Sequence, residues 1–218
     1  MFGRVAGHYD LLNHLLSANI DRRWRAKTVR RVSEVLGRPD AICLDLCCGT
    51  GDLMIALQKA GPSRVLGSDF CHPMLLAARV KRPAAELFEA DALRLPLRDH
   101  SLDLITVAFG FRNLANYRRG IEEALRVLKP GGTAAILEFS QPRNRAFRAA
   151  YNFYSRGILP AIGGLISGSR DAYTYLPDSV RKFPSADELE EQMRAAGFRE
   201  VRHEFMTGGI VALHLATA

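Results

Sequence analysis

Short apolar runs alternate with stretches of helical periodicity between residues 40 and 140. The apolar runs predict strands over 41–46, 64–68, 87–90, 102–109 and 133–139. The stretches between them predict helices over 52–60, 73–80 and 117–128. Strands that alternate with helices in this way are typical of βαβ units with a parallel sheet. The sequence therefore predicts an α/β core.

The flanking segments follow other patterns. Residues 1–36 are predicted to be helical, with pieces over 8–16 and 22–36, and residues 141–176 to be helices and loops inserted after the fifth strand. A helix is predicted over 186–196, with Ser185 as its N-cap and Gly197 as the glycine that ends it. Two last strands, 199–206 and 210–217, would pair antiparallel across Gly208–Gly209, which completes a mostly parallel seven-stranded sheet.

We expect one domain with four parts: an N-terminal helical lid (1–36), a cofactor-binding core (40–140), a helical insertion (141–184) and a C-terminal helix with a strand pair (185–218). A chain of 218 residues with 48% hydrophobic side chains is long enough for one buried core and excludes disorder. The weakly polar run from Gly157 to Gly168 is shorter than the ~20 residues of a membrane span. Met1–Arg4 does not resemble a secretion signal, so a cytoplasmic location is expected.

Four cysteines lie within one stretch, at positions 43, 47, 48 and 71. Their spacing is neither that of a zinc site nor that of a disulfide framework. They are interpreted as small buried hydrophobic residues in a reducing compartment, and no metal is predicted.

The net charge of +7 is unevenly distributed. No acidic residue lies between Glu138 and Asp171, whereas Arg143, Arg145, Arg148, Arg156 and Arg170 do. A second basic cluster is formed by Arg22, Arg23, Arg25, Lys27, Arg30 and Arg31. A solvated face is the simpler interpretation of each, and an anion-attracting surface is the alternative.

A glycine turn follows the first predicted strand and opens the first core helix, with Gly49, Thr50 and Gly51 at its centre. Glycine allows a tight turn and a close approach by a ligand, although such a turn can also be purely structural. Asp69 follows at the end of the second strand, where a carboxylate accepts both hydroxyls of a ribose. Asp91 and Ala92 after the third strand would meet an adenine edge.

The turn does not match a dinucleotide site, because Met54 stands where the third glycine would be. Asp45 and Asp52 on either side of the turn would repel phosphate and favour an ammonium group. S-adenosylmethionine, which carries an amino acid, a sulfonium and a ribose, fits these demands.

Several further segments carry a family resemblance. They are Tyr9–Asn13, Leu16–Ser17 and Trp24, then Phe109–Asn113, Arg126–Gly132 and Ile136–Ser140, and in the last third Leu159–Pro160, Tyr173–Leu176, Ser179, Phe183–Pro184, Ala196–Phe198 and Thr207–Ile210. On these segments the chain resembles the ubiquinone/menaquinone biosynthesis C-methyltransferase family of class I methyltransferases. The likeness covers nearly the whole chain. It departs at Leu12 (usually Met), Asp21 (usually His), Cys47 and Cys48 (usually Ala or Gly), and Asp21 puts any proton-handling role there in doubt.

The resemblance implies a Rossmann-like fold with a helical substrate lid, and methyl transfer from S-adenosyl-L-methionine to a ring carbon of a polyprenyl hydroquinone. Demethylmenaquinol is the favoured acceptor, and a dual menaquinone and ubiquinone role is the alternative. Arg112 and Asn113 are the expected catalytic residues, with Arg112 stabilising a quinolate oxygen or acidifying a water. The expected contacts with the cofactor are Asp45, Gly49, Thr50, Gly51, Asp69, Met74, Asp91 and Ala92, and those with the substrate are Tyr9, Asn13, Tyr154 and Tyr173.

The expected partners are the quinol, an anionic membrane surface reached through the arginine-rich segment, and a second copy of the chain as a homodimer. A nucleic-acid methyltransferase is disfavoured because no proline follows the fourth strand, where Phe109–Arg112 stands, and no separate basic module is present. A methyltransferase for another small molecule and a non-catalytic cofactor-binding protein remain as alternatives.

Overall fold

A seven-stranded sheet forms the centre of the computed structural model, which describes residues 19–153 and 178–218, without the side chains of 150–153. The strands are β1 (Ile42–Leu46), β2 (Arg64–Asp69), β3 (Glu86–Glu89), β4 (Leu102–Ala108), β5 (Leu128–Phe139), β6 (Arg199–Met206) and β7 (Val211–Thr217). Their order is β3-β2-β1-β4-β5-β7-β6. The pairs among β1 to β5 are parallel, whereas β7 pairs antiparallel with β5 and with β6. The mostly parallel seven-stranded sheet is therefore confirmed.

Helices connect and flank these strands. They are α1 (Ile20–Arg31), α2 (Ser33–Leu36), α3 (Asp52–Ala60), α4 (His72–Lys81), α5 (Tyr117–Val127), α6 (Arg145–Phe153) and α7 (Ala186–Ala196). Two buried apolar clusters, one containing Leu44, Ile105 and Ile121 and the other Leu53, Leu104 and Leu213, fill the space around the sheet. Strands with near-continuous apolar sequences are expected in a sheet that is covered on both faces.

The largest differences from the predicted helices and strands lie at two places. The helix predicted over 22–36 is two helices, because Val32 leaves helical geometry with φ −109° and ψ 11°. Strand β5 begins at Leu128 rather than at Thr133, since Leu128 already pairs with Leu102 of β4, with a register shift before the Leu104–Thr133 pair. The predicted Lys129–Gly132 turn is thus an irregularity within a longer strand.

The ends of helix α7 are set by capping residues next to them in the sequence. The Ser185 side chain accepts a hydrogen bond from the Glu188 backbone N–H, and the Glu188 carboxylate accepts one from the Ser185 N–H, which is a capping box. Gly197 ends the helix in the left-handed region at φ 113°.

The four cysteines are free thiols that differ in burial. Cys43 and Cys48 are buried as predicted, but Cys47 and Cys71 are only half-buried, which corrects the prediction for these two. Burial raises the pKa of the Cys43 thiol to about 11. Within the described ranges, no helix is long and apolar enough to cross a membrane.

Candidate active site

A cavity of about 390 Å³ opens where the carboxyl ends of β1 to β4 meet. Ligands of open α/β sheets bind at this edge, at the point where the strand order reverses, here between β1 and β4. Its wall includes residues from the end of each of these strands: Cys47–Thr50, Asp69–Cys71, Ala90–Leu93 and Ala108–Gly110. The topology therefore brings together segments that are far apart in the chain, from Cys47 to Gly110.

The glycine turn after β1 requires left-handed backbone conformations. Gly49 has φ 54° and Gly51 has φ 86°, values that residues with a side chain rarely adopt. Cys47 also has a positive φ, 55°. The turn is held by the Cys48 N–H, which donates to the Ser68 carbonyl at 2.9 Å. Of the predicted cofactor contacts in this turn, Gly49 and Thr50 line the cavity, whereas Gly51 does not and is the N-cap of α3.

Asp69 occupies the predicted position at the end of β2 and lines the cavity. One carboxylate oxygen accepts the Gly49 N–H at 2.9 Å and the other accepts the Cys71 N–H at 2.8 Å. Burial raises the pKa of this carboxyl, and the two amides oppose that rise. The amides fix its orientation, and each oxygen keeps a lone pair that can accept a ribose hydroxyl.

An apolar slot lies beside Asp69, between the ends of β2 and β3. Ala92 and Met74, two of the predicted cofactor contacts, line it together with Leu93 and with Phe70, whose side chain is 74% exposed. Asp91 stands at its rim and accepts the Leu93 N–H at 2.9 Å. An exposed aromatic ring next to an acceptor carboxylate fits a purine, which has an apolar face and a hydrogen-bonding edge.

Sequence reasoning missed Phe70, although the signal was available. A large apolar side chain directly follows the carboxylate that ends β2, at a position where an exposed aromatic residue has no folding role.

The predicted role of the two aspartates around the turn needs correction. Asp45 does not line the cavity: it is 1% exposed beneath the turn, where its Oδ1 accepts the Thr106 hydroxyl at 2.8 Å. Burial raises the pKa of Asp45 to about 7, against that hydrogen bond. The reason is that Asp45 is the fourth residue of β1, so it lies within the strand and not after its end, and it is buried there. A contact of Asp45 with a ligand's ammonium group stays a prediction.

Asp52 does line the cavity, but its charge is compensated. Lys81 of α4 lies 2.7 Å from one carboxylate oxygen, and Arg25 of α1 lies 3.6 Å from the other. Lys81 also donates to the Thr50 hydroxyl at 2.9 Å. The turn therefore lacks the negative charge that the sequence predicted, because the cations come from helices distant in sequence. What still disfavours a dinucleotide is Met54, whose fully buried side chain occupies the place of a third glycine.

Arg112 and Asn113 form a short 3-10 helix after β4, and only Asn113 reaches the cavity. Asn113 is exposed on the wall, whereas the Arg112 guanidinium is buried and lies 2.9 Å from the Glu138 carboxylate. Arg112 also donates to the Phe109 carbonyl, and its Nε donates to the Ser179 hydroxyl at 3.3 Å. A direct contact of Arg112 with a substrate stays a prediction. Its described contacts are those of a residue that fixes the end of β4.

The predicted substrate contacts Tyr9, Asn13, Tyr154 and Tyr173 lie outside the described residues. Arg25, Phe109 and Leu114 line the cavity on its β4 side and were not predicted as site residues. Arg25 had been counted only in a basic cluster, and its position directly after Trp24 was the signal that could have distinguished it.

Comparisons with known proteins identify the family of this chain. The model of the ubiE/COQ5 methyltransferase family matches residues 1–218. A demethylmenaquinone methyltransferase of Thermus thermophilus is 47% identical over 220 residues, which cover 99% of this chain and 98% of that protein. The ubiquinone/menaquinone biosynthesis C-methyltransferase UbiE of Syntrophotalea carbinolica is 46% identical, over 98% of this chain and 91% of that protein.

A solved SAM-dependent methyltransferase from Archaeoglobus fulgidus has the same fold. It superposes with a TM-score of 0.70 at 15% sequence identity and covers 96% of this chain and 99% of that one.

Proposed function

We propose that this chain, which belongs to the ubiE/COQ5 methyltransferase family and is an S-adenosylmethionine-dependent methyltransferase, methylates a ring carbon of demethylmenaquinol. The observation that carries the choice of substrate is the full-length similarity to proteins named demethylmenaquinone methyltransferase. A role in both quinone pathways is the second candidate, because a relative named for both is 46% identical.

The cavity supports a defined orientation of the methyl donor. We place adenine in the slot beside Phe70, with Asp91 at its edge, and the ribose hydroxyls on Asp69. These groups follow the strand order β3, β2, β1, so the amino-acid end lies over the Gly49–Thr50 turn. The sulfonium methyl would then point toward the end of β4, where Asn113 lines the wall. This arrangement leaves the β4 side of the cavity for the acceptor ring.

S-adenosylmethionine supplies an electrophilic methyl group on a positively charged sulfur. An aromatic carbon is a weak nucleophile, and ionisation of the neighbouring phenol places negative charge on it. The new C–C bond forms as the S–CH3 bond breaks, and the ring proton then leaves to a base and restores aromaticity. The protein must hold the two reactants in line and exclude water.

We assign Asn113 to the substrate, since its side chain is exposed on the cavity wall next to Leu114 and Ala115. Its amide is able to donate to a quinol oxygen. Arg112 then acts by fixing the 3-10 helix: its own N–H donates to the Glu138 carboxylate at 3.2 Å, while its guanidinium binds the same group.

Methyl transfer from labelled S-adenosylmethionine to reduced, short-chain demethylmenaquinone tests the proposal. The demethylated ubiquinone precursor is run in parallel with the same enzyme preparation. Label in the naphthoquinol alone supports the menaquinone step, and label in both supports the dual role. If neither quinol accepts label from protein that binds the methyl donor, the proposed substrate is wrong.

A membrane contact and a homodimer are further parts of the proposal. Helix α6 carries Arg145 and Arg148 beside the 40% exposed ring of Phe147, a combination that favours an anionic lipid surface. Such a contact would bring the protein to the polyprenyl tail of its substrate. Sedimentation with vesicles should depend on their anionic lipid content, and equal sedimentation with neutral vesicles would remove this contact. Analytical ultracentrifugation decides whether two chains associate.

A further inference from the structure

Arg25 is the only lysine, arginine or histidine that lines the cavity within the described ranges. It lies on α1, and its neighbour Trp24 anchors this helix against the sheet edge. The Trp24 indole packs against Phe109 and Phe139, with ring centroids 5.8 and 6.2 Å apart, and donates to the Thr207 hydroxyl at 2.8 Å. The anchoring of Trp24 therefore fixes the point from which Arg25 enters the cavity.

The guanidinium of Arg25 lies between the glycine turn and the end of β4. Its Nη2 is 3.6 Å from Asp52, the first residue of α3, and its Cζ is 5.9 Å from the ring centroid of Phe109. A methyl donor with its ribose on Asp69 extends its amino-acid end in this direction. In a cavity with few cations, the carboxylate of that amino acid needs either a positively charged side chain or several N–H donors to compensate for its lost hydration.

Among the described residues, most of the hydrogen-bonding capacity of this guanidinium is unused. It donates one hydrogen bond, from Nη1 to Asp21, and no other hydrogen bond of Arg25 is found among the described residues. An arginine has five N–H donors in a planar fork that matches a carboxylate. A side chain that is 13% exposed and faces a cavity with several unused donors is arranged for an anionic ligand.

We propose that Arg25 binds the carboxylate of the methionyl group of S-adenosylmethionine, and that Asp21 is the positioning residue that holds Arg25. The inference rests on S-adenosylmethionine as the methyl donor, not on the identity of the quinol. The local charges agree with it: Asp21 and Asp52 pair with Arg25 and Lys81 at this end of the cavity, and the methionyl group, which carries one ammonium and one carboxylate, adds no net charge there.

Decarboxylated S-adenosylmethionine is the matched probe, because it lacks only the carboxylate. We expect calorimetry with the unmodified protein to show S-adenosylmethionine bound on the order of 10- to 100-fold more tightly than the decarboxylated compound. Arg25→Gln should bring this ratio close to one by weakening S-adenosylmethionine alone. The ratio is measured within one variant, so partial loss of folded protein does not alter it.

Three further variants complete the test. Arg25→Lys should keep part of the ratio because it keeps the charge, and Asp21→Asn should lower the ratio severalfold. Arg22→Gln, an exposed arginine on the same helix that does not line the cavity, should leave the ratio unchanged.

The inference is overturned if the unmodified protein binds both compounds equally, or if Arg25→Gln weakens both to the same extent. Because no quinol is present, a failure of methyl transfer to demethylmenaquinol would reject the proposed acceptor and leave this result standing.

Discussion

The ion pair between Arg112 and Glu138 allows a test that separates folding from the reaction. The Glu138 side chain is 1% exposed and that of Arg112 is 7% exposed. Glu138 also accepts the Phe139 N–H at 2.8 Å. Removal of the guanidinium alone, by Arg112→Met, leaves a buried carboxylate with only backbone donors.

The cost of leaving one member of a buried ion pair unpaired is about 3–5 kcal/mol. For a chain of this length, each kcal/mol lowers Tm by about 2–4 °C, which gives a decrease of about 6–20 °C. Combining Arg112→Met with Glu138→Gln removes both charges and keeps an oxygen that accepts the Phe139 N–H. The free energy of unfolding of this double variant should return to within about 2 kcal/mol of the parent, since neutral replacements of buried pairs are often tolerated.

Turnover should not recover with stability. The double variant no longer fixes the 3-10 helix that carries Asn113, so kcat should remain reduced by about 10- to 100-fold, the size of effect that misplacement of a contacting group produces. The Kd for S-adenosylmethionine should be unchanged, because Arg112 does not line the cavity. Urea unfolding, calorimetry and labelled methyl transfer measure the three quantities.

Two results would refute this reasoning. If Arg112→Met lowers stability by less than about 1 kcal/mol, the buried carboxylate is not held by the guanidinium as the structure indicates. If the double variant regains both stability and turnover, Arg112 has no part in the reaction beyond folding.

Three other predictions concern the cofactor site and the core. Asp69→Asn should raise the Kd for S-adenosylmethionine by about 10- to 100-fold, because it removes a charged acceptor from the ribose site; calorimetry showing less than a twofold change would contradict this placement. Phe70→Ala should raise the same Kd by about 2- to 10-fold, whereas Val80→Ala, equally exposed on α4 but outside the cavity, should have no effect. Burial lowers the pKa of His214 to about 4, so the unfolded chain binds a proton there between pH 4 and 6.5 that the folded chain does not. The free energy of unfolding should therefore fall by about 3 kcal/mol as the pH decreases through this window, and urea titrations of His214→Leu should show a weaker dependence.

The sheet could be predicted from the sequence because its signals are local and agree with one another. The bounds of each strand predicted between 41 and 109 lie within one residue of the observed bounds. This agreement arises because each apolar run is flanked by turn residues on both sides. The helix Ala186–Ala196 was bounded correctly by its capping residues. The early start of β5 could not be predicted in this way, because Leu128 is assigned to the strand only through its pairing with Leu102.

The sequence was sufficient to predict which strand ends line the cavity. It was not sufficient to predict the direction of each side chain. Asp69, Met74, Asp91 and Ala92 line the cavity because each lies at or just after the carboxyl end of a parallel strand or in the first turn of the next helix. Asp45 is within β1, where alternate residues face opposite sides of the sheet, and the sequence does not state which side a residue beside a turn will face.

The electrostatics of the site depend on contacts that no local pattern reveals. Two aspartates beside a glycine turn predict a negative site if only neighbours in sequence are counted. In the structure, Arg25 and Lys81 contact Asp52 although they are 27 and 29 positions from it in the sequence. Asp45 is buried beneath the turn. Among the described residues, one arginine lines a wall that also carries Asp52, Asp69 and Asp91, so a ligand is selected by the positions of the hydrogen-bonding groups and not by net charge alone. For this reason the discrimination between S-adenosylmethionine and its decarboxylated form measures the site more directly than any titration of its overall charge.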